Sequence, residues 1–318
     1  MEKPKVAITI GDPAGIGPEI VLRAINSLDV QRVCSPIVLG DKRIIEKYFK
    51  GMSSSKAAFQ ITSDYKEKIH LGKPSRISGL IACNAIKAAV TLCLSANAAA
   101  MVTAPVSKES FKFAEMPYSG HTEFLADLTQ SKRYCMMMVC GKIKSVMVTR
   151  HLPVSKISKL LTKRDIIITT KLAGNFIKQI SNNKPKIVIC ALNPHAGDNG
   201  ILGADEKKTI IPAVKELKQK TDFHIYGPMP ADSAWVKTAK GEFDLLVGMY
   251  HDQVMIPLKI IDSLKVVNVT AGLPFVRTSP GHGTAFDIAG KNKADSSSMT
   301  EAILFSVKAS GKYNNKLS

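Results

Sequence analysis

An α/β fold is what this sequence predicts: a largely parallel or mixed sheet with helices on both faces. Three observations carry it. Short apolar runs rich in β-branched residues recur along the chain, each too short for a helix. Stretches of helical periodicity alternate with them. Hairpin signals between the runs are few, and no repeat or low-complexity linker interrupts the alternation. With 318 residues, 45% of them hydrophobic, the chain has material for one large domain or two of ordinary size.

The first strand, Lys5 to Ile10, empties into Gly11-Asp12-Pro13-Ala14-Gly15-Ile16-Gly17-Pro18-Glu19. A helical pattern through Ile20, Leu22, Ala24 and Ile25 follows. Strand, glycine-rich turn and helix is the layout of an anion site on a helix N-terminus, although the spacing fits neither the dinucleotide fingerprint nor the P-loop. Plain turn chemistry at Asp12 and Pro13 is the other reading. Ser35 to Gly40 is a second strand, ended by Asp41. Residues 51–73 are polar with weak periodicity and read as an irregular surface excursion. Gly79 to Ala96 reads as a buried helix and Ala99 to Val106 as a strand. The uncharged stretch Ala88 to Val106 has the length of a membrane span, but Thr91, Ser95, Asn97, Thr103 and Pro105 argue for a buried helix running into a strand. Thr122 is placed to cap a helix through Leu125 and Leu128, with His121 just outside its N-terminus.

Cys135 to Cys140 and Lys144 to Thr149 are two adjacent strands joined at Gly141. Thr162-Lys163-Arg164-Asp165 is a capping pattern for a helix carrying Ile168, Leu172, Phe176 and Ile180. Ile187 to Leu192 is a buried strand that stops in a polar loop holding Asn193, Pro194, His195, Asp198 and Asn199. Pro212 to Lys220 is helical, and His224 to Gly227 is a short strand leading to Asp232. Asp244 to Met249 is a strand ending in Tyr250-His251-Asp252-Gln253. Val266 to Thr270 is the last clear strand, and a C-terminal helix runs from about Ser298 to Ala309.

The net charge of +18 calls for anionic partners. Its lysines are dispersed and aromatics make up only 6%, so the basic stripe with interleaved aromatics that nucleic acid requires is missing. A positive field suits a phosphorylated substrate or a dinucleotide equally well. The six cysteines lie in or beside apolar runs without a C-x-x-C pair, as buried thiols of a reducing compartment do. MEKPKVAITI offers no secretory signal, and a cytoplasmic chain without membrane contact is expected.

Three histidines share one kind of position. His151, His195 and His251 each follow a buried strand, where ligands bind in open α/β sheets. Three imidazoles with an open fourth position make a catalytic metal pattern. Three independent loop histidines are the plainer alternative, and no contiguous ligand motif decides between them. Arg277, Lys259 and Asn268 near the last strand, with His121 and Thr122, suit an anionic, hydroxylated substrate. Asp252 beside His251 is a candidate partner or base, and Asp232 is the rival base.

Taken in order, GDPAGIGPE, GHTEF, Thr149-Arg150-His151-Leu152-Pro153, LNPHAGDNG, MYHDQ and GLPFVRTSPGHGTAFDIAG resemble the 4-hydroxythreonine-4-phosphate dehydrogenase family of vitamin B6 synthesis. The likeness runs from Gly11 to about Asp295. Gly281 to Lys291 is also similar to the cofactor loop of isocitrate and isopropylmalate dehydrogenases. The resemblance implies two α/β/α domains, residues 1–120 with 270–318 on the cofactor side and 121–269 on the metal and dimer side, with the active site in the cleft between them. It implies a homodimer with shared active sites, in which His151, His195 and His251 bind the metal and one comes from the partner. His121, Thr122, Lys259, Asn268 and Arg277 would hold the phosphorylated substrate. Gly281, His282, Gly283, Thr284 and Asp287 would hold NAD or NADP, and Asp232, Asp252 and Lys259 are the implied catalytic set. Arg150 departs from the small residue usual in the family at that place.

The implied reaction is metal- and NAD(P)-dependent oxidation of 4-phosphohydroxy-L-threonine to 2-amino-3-oxo-4-(phosphooxy)butanoate, which loses CO2 to give 3-amino-2-oxopropyl phosphate. Oxidation of 4-phospho-D-threonate or 4-phospho-D-erythronate in sugar-acid catabolism is the alternative. Imidazole ligands lean toward Zn2+ or Co2+, with Mg2+ and manganese left open.

Overall fold

The structure is a computed structural model and describes residues 2–313 apart from 55 and 119. The chain begins with β1 (Lys5–Thr9), α1 (Gly17–Asn26), α2 (Leu28–Val33), β2 (Ser35–Asp41), α3 (Lys42–Phe49), β3 (Ala58–Ser63), α4 (Arg76–Leu94), β4 (Ala100–Thr103), α5 (Lys108–Phe113) and α6 (His121–Leu128). It continues through β5 (Cys135–Cys140), β6 (Ile143–Met147), α7 (Val154–Leu160), α8 (Lys163–Ser181), β7 (Lys186–Cys190), α9 (Ile211–Lys220), β8 (His224–Met229), α10 (Ala231–Ala239), β9 (Leu245–Gly248) and α11 (His251–Asp262). It ends with β10 (Val267–Ala271), β11 (Val276–Pro280) and α12 (Ser297–Tyr313). Two compact units result, one from residues 1–132 with 267–318 and one from 133–266.

In the first unit the strands run in the order β3-β2-β1-β4-β11-β10, all parallel except the antiparallel β10–β11 pair. The α4 helix is in its core, as the polar residues scattered through that uncharged stretch predict. Small side chains at Ala82, Cys83, Ala85 and Ala89 let the helix backbone approach the sheet. It has the length and apolarity of a membrane span, yet most of it is buried inside this unit. Phe124 and Leu125 of α6 belong to the same core. The boundary therefore falls later than expected, and His121 and Thr122 lie in the first unit. Residues 267–269 join it too, because Val267 to Thr270 pair with β11.

The second unit has the order β5-β6-β9-β7-β8, with β5 and β6 an antiparallel hairpin and the other pairings parallel. Trp235, Leu246, Val254 and Leu258 centre its core. The α8 start follows the capping pattern. Thr162 Oγ1 accepts from the Asp165 N–H at 3.1 Å and donates to Asp165 Oδ2 at 2.6 Å.

Three elements differ from expectation. Residues 58–63, read as irregular, form the half-exposed edge strand β3. Val276–Pro280 is a fully buried strand despite its polar sequence. Residues 251–262 form α11 with Pro257 inside it and no side-chain cap, so the usual start and stop signals are missing. All six cysteines are buried thiols. Burial pushes those of Cys34, Cys93, Cys135 and Cys190 up to about 12, which keeps them protonated and inert.

Candidate active site

The strand ends of the second unit are locked together before any histidine is placed. Thr149 N–H and Oγ1 both donate to the Met249 carbonyl, at 3.0 and 2.7 Å, joining the end of β6 to that of β9. Gln253, 8% exposed, accepts from Met249 N–H at 2.6 Å and donates through Nε2 to the Ala191 carbonyl at 2.8 Å. Trp235 Nε1 in turn donates to the Gln253 carbonyl at 2.7 Å. Sequence reading did not single out Gln253; its place in the Tyr250–Gln253 stretch was the signal available.

This stitching brings His151 and His251 together, their ring centroids 5.9 Å apart and their planes 43° to each other. His251 Nδ1 lies 2.7 Å from Asp252 Oδ1. With the carboxylate accepting the Nδ1 proton, the Nε2 lone pair of His251 is turned outward, the arrangement a metal-binding imidazole uses. Two neighbouring pockets open here. The larger, about 540 Å³, is lined by His195, Asp232, Trp235, Tyr250 and Asp252 among others. The smaller, about 200 Å³, is lined by Arg150, His151, Tyr250, His251 and Asp252. Tyr250 and Asp252 form their common wall. Arg150 also lies over the ring of Tyr134, 5.6 Å from its centroid.

Paired imidazoles with a carboxylate holding one of them fit a borderline divalent metal. The trio expected from sequence is not assembled within one chain. Among the described residues no three His, Cys, Asp or Glu side chains converge as a ligand set. The physical reason lies in the loop after β7, where His195 sits at φ 51 on a left-handed turn and faces the larger pocket. Asp232 is exposed on that pocket's wall. Lys259 is exposed on α11 and lines neither pocket.

In the first unit two of the anion-suited residues, Arg277 and His121, come close enough to interact, whereas Lys259 belongs to the second unit. Arg277 is 1% exposed and donates to Thr270 Oγ1 at 3.0 Å and Thr103 Oγ1 at 2.6 Å. No carboxylate among the described residues pairs with it, its Nε has no partner, and burial pulls its pKa down to about 10. His121 Nε2 and Asn268 Oδ1 are also buried without partners. Burial, with the Arg277 charge second, holds the His121 imidazole well below its ordinary value. A buried, uncompensated cation beside a neutral imidazole is an arrangement that an incoming anion completes. The α6 helix starts at His121 itself, with Gly120 as N-cap and no side-chain cap. Thr122 therefore does not cap it, and the first-turn N–H groups remain available.

The sign of a pH effect follows. Between its lowered folded value and the ordinary 6.5, His121 is neutral when folded and protonated when unfolded. The unfolded state then binds the extra proton, so this group costs stability as pH falls below 6.5. His121→Asn in phosphate-free buffer should flatten the fall in unfolding temperature between about pH 7.5 and about pH 5.5. An unchanged slope would assign that fall to other groups.

The segment after β1 proves to be a brace. Gly11, at φ +70, has no room for a side chain, since a Cβ would stand 2.4 Å from the Pro105 carbonyl oxygen. Asp12 is fully buried and accepts from Ala14 N–H at 3.0 Å and Ser110 Oγ at 2.6 Å, and burial raises its pKa. Ile16 N–H donates to the Thr284 carbonyl at 3.0 Å, Glu19 accepts from Gly290 N–H, and Arg23 donates to the Ala294 carbonyl at 2.6 Å. Gly281 N–H donates to Ser298 Oγ at 2.9 Å. The stretch holding Gly281, His282, Gly283, Thr284 and Asp287 is thus fastened at both ends, while His282, Gly283 and Asp287 stay exposed.

An α/β chain with paired strand-end histidines and a separate buried arginine lacking a counter-ion has the parts of an enzyme acting on a small anion. The chain belongs to the family described as Pyridoxal phosphate biosynthetic protein PdxA, which matches residues 32–306. It is 39% identical to a 4-hydroxythreonine-4-phosphate dehydrogenase of Sulfurihydrogenibium sp., over 94% of this chain and 96% of that protein. It is 37% identical to a D-threonate 4-phosphate dehydrogenase of Salmonella typhimurium, over 95% of this chain and 98% of that one. The crystal structure of a 4-hydroxythreonine-4-phosphate dehydrogenase from Klebsiella pneumoniae superposes with a TM-score of 0.86 at 33% identity, covering 98% of both chains. The chain is accordingly an oxidoreductase of the dehydrogenase type.

Proposed function

We propose that the chain oxidises the secondary hydroxyl of 4-phosphohydroxy-L-threonine with NAD or NADP as hydride acceptor and a divalent metal, Zn2+ foremost, with Mg2+ or Co2+ as alternatives. The observation that carries this reading is the His151–His251 pair, with His251 oriented by Asp252. Relatives of both substrate classes match over nearly the whole chain, which keeps 4-phospho-D-threonate as the second reading.

His151 and His251 would hold the metal, with His195 completing the set from a second copy. When bound, the metal lowers the pKa of the substrate hydroxyl. Arg277, neutral His121 and the free N–H groups of α6 hold the phosphate and fix the register of the substrate. Asp232 takes the hydroxyl proton, because Asp252 Oδ1 is already committed to His251. Gly281, His282, Gly283, Thr284 and Asp287 would hold the nicotinamide cofactor, which would supply the acceptor for the hydride from the same carbon. The product is a β-keto acid, and its C–C bond electrons flow to the new carbonyl as CO2 leaves. Asp232 can return its proton to the resulting enolate.

The same reading makes the protein a cytoplasmic homodimer with shared sites. Its support is an exposed apolar patch at α11, where Ile256 and Ile260, one helical turn apart, are 55% and 78% exposed, with Leu264 just past the helix end 52% exposed. The test is formation of reduced cofactor from 4-phosphohydroxy-L-threonine and, in parallel, from 4-phospho-D-threonate, before and after chelation. Chelator-sensitive turnover of the amino substrate is expected. Preference for the non-amino acid would move the protein to the second reading, and silence on both with metal present would sink the assignment.

A further inference from the structure

We propose that Asp205 and Glu206 form an acidic yoke that sets the His195 loop for metal binding and ties it to the segment that follows His151. This rests on the reading of His195 and His151 as ligands. Asp205 and Glu206 are positioning residues, Glu206 acting through backbone N–H groups and the Asn193 side chain and Asp205 through the side chains of Asn193 and Ser158.

The loop needs an outside template. Five successive residues, His195 to Asn199, have φ values of 51, 54, 78, 38 and 54°. Gly197 takes such a value freely and Asp198 and Asn199 tolerate it, but His195 and Ala196 are held against their preference, and five such residues in a row are unfavourable together. Glu206, 2% exposed, supplies the template. Its Oε1 accepts from Leu192 N–H at 2.9 Å and Asn193 N–H at 2.8 Å, and its Oε2 from Asn193 Nδ2 at 3.0 Å. The loop wraps over this carboxylate so closely that a Cβ on Gly197 would stand 2.6 Å from Oε2. Glu206 opens a single π-helical turn, Glu206–Ile210, a rare local geometry often found at functional places.

Asp205 extends the hold. Its Oδ2 accepts from the same Asn193 amide at 3.0 Å, and its Oδ1 accepts from Ser158 Oγ at 2.5 Å. Ser158 lies on α7, which starts three residues after His151. One pair of adjacent carboxylates therefore grips the chain just before His195 and, through Ser158, the helix just after His151. Among the described residues no other acceptor is bonded to the Leu192 and Asn193 N–H groups, so losing the carboxylate releases the loop.

The experiment is Glu206→Gln, which keeps the volume but turns an amide donor toward the Asn193 amide. Zn2+ affinity, measured by competition with a chromophoric chelator, should fall about 10- to 100-fold, the range for groups that orient metal ligands. The visible absorption of the Co2+ form should change as well. Stabilisation by inorganic phosphate, which reports on Arg277, should not change. Lower thermal stability with unaltered Zn2+ affinity and Co2+ spectrum would overturn the yoke and leave a packing role. Should Glu206→Gln not fold, Asp205→Ala on the half-exposed side carries the test, with about tenfold weaker Zn2+ expected and unchanged affinity overturning the proposal. A wild-type chain that binds neither Zn2+ nor Co2+ would instead remove the ligand reading on which the yoke rests.

Discussion

Replacing Arg277 with methionine is expected to cripple substrate binding while leaving the protein at least as stable. The two effects have opposite signs because the guanidinium is buried with no counter-ion among the described residues. Among the described residues its N–H groups go to two threonine hydroxyls and no carboxylate, and burial already pulls its pKa down to about 10. Desolvating that charge opposes folding, and a methionine of similar length removes the burden. A bound phosphate reverses the balance, because removing one partner of a buried, hydrogen-bonded charge pair costs about 2–5 kcal/mol. KM for the phosphorylated substrate should therefore rise about 100-fold or more. Inorganic phosphate should raise the unfolding temperature of the wild type and not that of the variant. A large loss of stability with unchanged KM would make Arg277 a structural residue and empty the anion site.

That arginine also shows where the sequence was legible and where it was not. Strands made of apolar, β-branched residues, such as β1 and β7, announced themselves, and so did the Thr162 cap of α8. The β11 strand did not, since Val-Arg-Thr-Ser-Pro carries the polar residues of a loop. They are inside because Thr270, Thr103 and Ala302 take their hydrogen bonds. The α11 helix was hidden likewise, by Pro257 and an uncapped start. What holds residues 251–262 helical is tertiary: the helix's own Val254, Met255 and Leu258 are buried in the core of the second unit, and its Gln253 bonds Met249 N–H and the Ala191 carbonyl.

The site was legible as residue types and chain positions, and hardly at all as geometry. Repetition of histidine at three strand ends was visible, and two of the three meet. That His195 rides a left-handed turn was not visible, because its conformation depends on Glu206, eleven residues on and buried by the fold. The Gly11–Glu19 motif was legible as a turn but not in its contacts: Gly11 serves close backbone packing, Asp12 accepts from Ala14 N–H and Ser110, and the Ile16 N–H and the Glu19 carboxylate reach Thr284 and Gly290.

Mixing two inactive variants, His195→Ala and His251→Ala, is expected to restore activity. Each alone removes an imidazole and should lose turnover together with metal. In the structure His251 pairs with His151, whereas His195 lines the neighbouring pocket and no third ligand joins the pair among the described residues. If one ligand comes from a second copy, a hybrid dimer holds one site that lacks both imidazoles and one that lacks neither. Random re-pairing makes half the dimers hybrid, so roughly a quarter of wild-type activity and metal content should return. The exchange needs only dissociation in mild denaturant, followed by removal of the denaturant with Zn2+ present. Recovery should fail when Ile260→Glu is added to both chains, since a buried charge on the α11 patch opposes pairing. Mixtures that stay inactive, from dimers shown to have exchanged subunits, would place all three histidines in one chain. His195 would then have to reach the His151–His251 pair by rearranging its own left-handed loop, and the shared site would be lost while the metal role survived.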